Sequence, residues 1–133
     1  MSATTRWLLV LPAAIATTVA CFLLFTLGWN LTSTISIVPQ SDLISLGLAN
    51  FSINAFSAGL GVLAAASVAP SSRRRAAIGV AGLYLLLAAG LLIWGVSARD
   101  TLRMSLGWHI WGTVAWAVGT VAGVIAAKVE NPR

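Results

Sequence analysis

At 133 residues the chain is long enough for one domain, and its composition is 59% apolar with only 8% charged residues, against roughly 25% charged in an ordinary soluble domain. Eight basic and three acidic side chains cannot cover the surface of a soluble fold of this size, so lipid is the solvent to expect. The net charge of +5 sits at the ends of apolar runs without the aromatic or helical frame that nucleic-acid recognition uses, which sets nucleic acid aside as a partner.

The first apolar run covers 7–29, between Arg6 and Asn30-Leu31-Thr32-Ser33. Pro12 is expected close to its start, where a missing backbone donor costs least. Thr18-Val19-Ala20-Cys21 resembles a lipoprotein cleavage site, but the run continues through Phe22-Leu23-Leu24-Phe25, so a retained helix is the reading. Cys21 is the only cysteine, which rules out an intramolecular disulfide, and is read as a small packing residue. A connection over 30–42 follows, with the sequon Asn30-Leu31-Thr32 and a turn and helix cap at Pro39-Gln40-Ser41-Asp42.

The second span covers 43–66, the third 76–97 and the fourth 104–127, ending at Lys128. Arg73-Arg74-Arg75 is expected in the loop between the second and third. Each span exceeds the roughly 20 residues needed to cross the hydrocarbon, and lipid leaves helices as the way to satisfy the backbone. The expected fold is therefore an all-α integral membrane four-helix bundle, a single transmembrane domain over 1–133. Short connections make it two antiparallel hairpins.

Basic residues set the direction. One side carries Arg6, Arg73, Arg74, Arg75, Lys128 and Arg133, the other only Arg99 and Arg103 beside Asp100. Both termini and the arginine triplet are therefore expected on the cytoplasmic face of the cell membrane, with the triplet touching anionic lipid at about 1 kcal/mol per residue. Trp7, Trp29, Trp94 and Trp108 fall near span ends and read as interfacial anchors. Ser45-Leu46-Gly47 with Gly59, and Ser105-Leu106-Gly107 with Gly119, form an internal echo that suggests two hairpins in parallel arrangement.

The second span is the unusual one. At 100° per residue Leu43, Gly47, Asn50, Asn54, Ser57 and Gly61 fall in a narrow arc. Two carboxamides in a bilayer must find protein partners. Interhelical hydrogen bonding beside close glycine packing is the plainer explanation, and a polar lining for a pore or pocket the functional one.

The fourth span carries the only histidine. His109 shares a face with Ser105, Gly112, Thr113, Trp116, Gly119, Thr120 and Gly123, and Gly119 with Gly123 forms a close-packing pair. Asn50 and His109 are expected at similar depth, with Asn50 and Asn54 facing His109 directly or through one water. A proton relay lacks further titratable groups in the spans, and one histidine and one cysteine are too few for a metal site. No phosphate-binding loop or catalytic triad is present. An enzyme, a metal and a cofactor are accordingly not expected.

Asn50 to Gly61, Arg75-Ala76-Ala77-Ile78-Gly79-Val80 with Tyr84-Leu85-Leu86-Leu87, and Trp108-His109-Ile110-Trp111-Gly112 carry one resemblance. The pattern resembles a family of small four-span bacterial membrane proteins, mainly actinobacterial, grouped as a domain of unknown function. Its second and fourth spans carry Asn/His motifs followed by glycine. The chain departs from that pattern in having Asn54 where the family has a histidine, and the resemblance implies no activity.

The reading that results is a non-catalytic accessory or scaffold subunit. Its partners would be membrane lipids and other transmembrane subunits or further copies of itself. The alternatives are an oligomeric transporter or channel lined by Asn50 and Asn54, and lipid or quinone binding at the outer end near Trp29, Trp94, Trp108 and His109.

Overall fold

The computed structural model describes residues 2–34, 43–98 and 106–129. They form four helices: α1 Ala3–Thr34, α2 Leu43–Val68, α3 Arg73–Ser97 and α4 Leu106–Val129. All four are long and apolar enough to cross a membrane, so the protein is an all-α, multi-pass membrane protein by length and composition. The expected features at Pro39-Gln40-Ser41-Asp42, Arg99, Asp100, Arg103, Ser105 and Arg133 lie outside the described residues.

Helix α1 is longer than its apolar run. Ser2 caps it, its hydroxyl accepting from the Thr5 N–H at 3.2 Å. At the other end Thr32 donates to the Gly28 carbonyl, and Ser33 and Thr34 donate to that of Asn30. These back-bonds give the Gly28 and Asn30 carbonyls further donors beside their helical ones and leave the three hydroxyls satisfied within the helix. The helix therefore runs through Asn30–Thr34, sequon included, rather than breaking at Asn30. At ~1.5 Å per residue it is about 48 Å long, well beyond the ~30 Å hydrocarbon. Pro12 is consequently in the helix interior, not near its start, and leaves the Leu8 carbonyl without its usual donor.

The α2–α3 joint is shorter than its apolar boundaries suggest. Ala69 continues the α2 ladder by donating to Ala65 O, and Ser72, with φ 51°, turns the chain so that its carbonyl accepts from Arg75 and Ala76. Arg73, Arg74 and Arg75 are thus the first turn of α3 rather than a loop. Arg6 of α1 reaches the last carbonyl of α2, donating from Nε to Val68 O at 3.2 Å, a cation placed where the α2 dipole is negative.

Contacts fix which helices are neighbours. Arg6 meets Val68, Thr18 lies over Gly61, and the Phe25 ring lies 6.0 Å from that of Phe56, so α1 and α2 run in opposite order. The same holds for α3 and α4, where His109 meets Leu91 and Trp116 meets Tyr84. Helices α2 and α4 run in the same order and form the central pair. A Cβ at Gly119 would strike the Ala55 carbonyl, one at Gly59 would lie 2.9 Å from Gly119 O, and one at Gly123 2.7 Å from Gly59 O. Gly119 thus lies against Ala55 and Gly59 of α2, and Gly123 against Gly59 and Val62. With no hydrophobic drive between helices in lipid, this close approach is what holds them.

The bundle is tight at one end and loose at the other. Buried residues lie mostly in the half that holds Arg6, Ser72 and Lys128: Val10, Ala14 and Thr18 of α1, Ser57 to Ala66 of α2, and Ala76 to Tyr84 of α3. Beyond Thr18, α1 buries nothing fully. The interior is made of Ala, Gly, Ser, Thr and Val together with Tyr84, while large side chains such as Leu24, Leu86 and Ile93 face outward. We call the two ends the basic end and the open end.

Candidate functional site

A cavity of about 400 Å³ occupies the open half and is bounded by all four helices. Phe22 and Thr26 come from α1, Asn50, Ile53 and Asn54 from α2, Ala88 and Leu91 from α3, and Trp108, His109, Gly112, Thr113 and Trp116 from α4. Its volume falls within the range usual for small-molecule sites. A second space of about 350 Å³ shares Asn50, Ile53 and Trp108 and adds Trp29 and Leu43 nearer the open end. Trp108 thus belongs to the wall and mouth of a cavity as well as to the end of a span.

Behind Trp116, which forms the floor, lies a polar junction that sequence reading did not anticipate. The Trp116 ring lies 5.3 Å from that of Tyr84, and Tyr84 OH shares a 2.7 Å hydrogen bond with Thr18 Oγ1. This pair crosses over Gly61, where a Cβ would strike the Thr18 hydroxyl and lie 2.8 Å from the Tyr84 oxygen. Thr18 is one ordinary hydroxyl among many in the chain, and Tyr84, the single tyrosine, was the only available signal. Below this junction the small-residue core closes the bundle.

The polar arc of α2 does not stay one surface. Asn50 and Asn54 face α4 across Gly112, where a Cβ would lie 3.4 Å from Asn50 Oδ1 and 3.7 Å from Asn54 Nδ2. Gly47, a turn nearer the open end, accepts a 2.9 Å bond from Trp111 Nε1. Gly61, on the same arc, instead faces α1 and α3, and Ser57 is wholly buried with no partner for its hydroxyl. The reason is the crossing of α2 and α4: one stripe on α2 meets α4 near the open end and other helices below.

His109 finds a different partner from the one expected. Its Nε2 lies 2.7 Å from Leu91 O, and the ring packs onto Gly95, where a Cβ would overlap it. A carbonyl oxygen only accepts, so Nε2 carries the hydrogen. The carboxamides bond to each other within α2: Asn54 Nδ2 donates to Asn50 O at 2.8 Å and more weakly to Asn50 Oδ1 at 3.4 Å. Asn50, Asn54 and His109 therefore line one cavity without a direct hydrogen bond between histidine and asparagine. Gly95 is the residue that sequence reading missed here.

Other features bear on chemistry. Thr113 donates to His109 O at 2.8 Å, and Thr26 Oγ1 is buried without a partner in the wall. No carboxylate side chain occurs among the described residues, and none of them form a group able to hold a metal ion. Cys21 is a free, half-buried thiol on α1. The cavity is uncharged, part aromatic and part amide, and closed toward the basic end.

Comparison with protein-family models finds no match, and searches of curated proteins and of solved structures return none either.

Proposed function

We propose that the protein is a non-catalytic membrane binding protein whose open end takes the uncharged head of a lipid-soluble molecule, a lipid or a quinone. The carrying observation is the cavity itself: bounded by four helices, floored by Trp116, which packs on Tyr84, and lined by Asn50, Asn54 and His109 with no charge. An amphipathic ligand suits such a lining, with apolar walls for its body and a few placed polar groups for its head.

In this reading the bundle is two antiparallel transmembrane hairpins in the cell membrane. The basic end faces the cytoplasm and the cavity opens at the outer leaflet. The arginine triplet supports that orientation. The first turn of α3 holds three arginines and no acid, a placement the helix dipole disfavours and anionic headgroups offset.

The test is what copurifies in mild detergent. Extraction and mass spectrometry are expected to find one lipid or quinone class enriched in the wild type and lost in Gly112→Leu, whose side chain would enter the cavity. Equal complements of lipids and quinones in both proteins would overturn the reading.

One observation favours a second role as a subunit of a larger assembly. Gly79, Gly82 and Gly90 are exposed on α3 with nothing within 4 Å, so the monomer gives these glycines no packing use. The same purification would reveal associated subunits or further copies. A solute path through the monomer is not favoured, because the small-residue core fills the basic half.

A further inference from the structure

We infer that the cavity selects a ligand whose head donates hydrogen bonds, a neutral hydroxyl compound such as a quinol or a lipid alcohol, over one whose head only accepts. The inference rests on the proposed binding function and adds the chemical polarity of the ligand.

Backbone carbonyls decide that polarity. Leu91 O takes the proton on His109 Nε2, so in the neutral ring Nδ1 is left as an acceptor. Asn50 O takes a donor from Asn54 Nδ2, which fixes the orientation of that carboxamide and leaves Asn54 Oδ1 as an acceptor. Thr113 also spends its hydrogen on a carbonyl, that of His109. Neither His109 Nδ1 nor Asn54 Oδ1 has a hydrogen-bond partner among the described residues, neither is fully buried as the unpartnered Thr26 and Ser57 hydroxyl oxygens are, and both residues line the cavity.

Free donors remain at Asn50 Nδ2 and at the Trp116 indole N–H, so the selection is made where a head meets His109 Nδ1 or Asn54 Oδ1, groups that only accept. A ketone or ether head would place oxygen against His109 Nδ1 and displace any water there without replacing its hydrogen bond. A hydroxyl replaces it. The aromatic wall of Phe22, Trp108 and Trp116 accommodates a ring or the start of a chain beside that head.

The experiment compares 4-dodecylphenol with its methyl ether, which differ in the ability to donate. Binding to purified protein in detergent is read by quenching of tryptophan fluorescence, Trp108 and Trp116 being in the wall. One neutral hydrogen bond predicts about fivefold tighter binding of the phenol. In His109→Phe the gap is expected to close while the ether still binds.

Because the chain has a single histidine, its ¹⁵N signals are unambiguous, and wild-type protein is expected to show the Nε2–H tautomer with the Nδ1 signal moving on phenol binding. Decyl-ubiquinol and dioctanoylglycerol then distinguish a quinol from a lipid alcohol as the hydroxyl source. Equal binding of phenol and ether would overturn the donor rule, meaning that water meets Nδ1, while leaving the cavity a binding site. An Nδ1–H tautomer would overturn it as well. Binding of neither probe, with no copurifying lipid or quinone, would overturn the proposed function too.

Discussion

Replacing Gly119 by alanine tests whether the α2–α4 crossing holds the bundle. The new Cβ would strike the Ala55 carbonyl oxygen and lie 2.5 Å from both the carbonyl carbon and Cα of Ala55. Ordinary contact begins near 3.4 Å, so the two helices must separate by roughly 1 Å, and the obstacle is backbone that no rotamer can move aside. Overpacking of this kind costs about 1 to 3 kcal/mol, and an obstacle made of backbone belongs near the top of that range. Alanine regains about 1 kcal/mol of helix propensity, leaving a net loss of about 2 kcal/mol. Gly107→Ala is the control, since nothing lies within 4 Å of that site; it is expected to be neutral or stabilising by up to about 1 kcal/mol. Reversible unfolding in mixed micelles with increasing dodecyl sulfate, followed by tryptophan fluorescence, measures both. Stabilities of the two variants agreeing within about 0.5 kcal/mol would refute the crossing.

Three further outcomes are expected. A double-mutant cycle of Tyr84→Phe and Thr18→Val in the same unfolding assay is expected to give a coupling of about 0.6 kcal/mol and no more than about 1.7; zero coupling would mean the hydroxyls do not bond. Ser57→Ala removes a fully buried hydroxyl without a partner and is expected to stabilise by about 1 kcal/mol, whereas a comparable loss would show that the hydroxyl is bonded. For topology, a cysteine at Ser72 in a Cys21→Ser background is expected to resist impermeant maleimide in intact cells while one at Ser36 labels, and the reverse pattern would invert the proposed orientation.

Much of the architecture was legible because it depends on local properties. Four apolar stretches longer than a bilayer requires, bounded by Arg6, Arg73 to Arg75 and Lys128, read directly as four helices. The spacing of Gly119 and Gly123 suggested close helix packing and the internal echo two parallel hairpins, while the approach of Gly59 to Gly119 came from the structure. The echo fails at the open end, where Gly47 packs on Trp108 and Trp111 while Gly107 has nothing within 4 Å. Helix ends were less legible: Ser2 caps α1 before its apolar run, and past that run Thr32 and Thr34 stay helical with their hydroxyls bonded within the helix.

The sequence by itself determined the membrane setting, the number of helices and the polar residues that must turn inward, since each follows from length, hydropathy and the cost of polarity in lipid. Tertiary structure alone decided which partner each polar group takes. A helical wheel placed Asn50, Asn54, Ser57 and Gly61 on one stripe, but it cannot say where a neighbouring helix crosses that stripe. The close approach at Gly59 and Gly119 sets that crossing and sends Gly61 to α1 and α3 and the carboxamides to α4. Helix α3 supplies His109 with the Leu91 carbonyl, and Gly95 is small enough to admit the ring. The partner is a backbone atom, present at every residue and therefore invisible in any pattern of side chains.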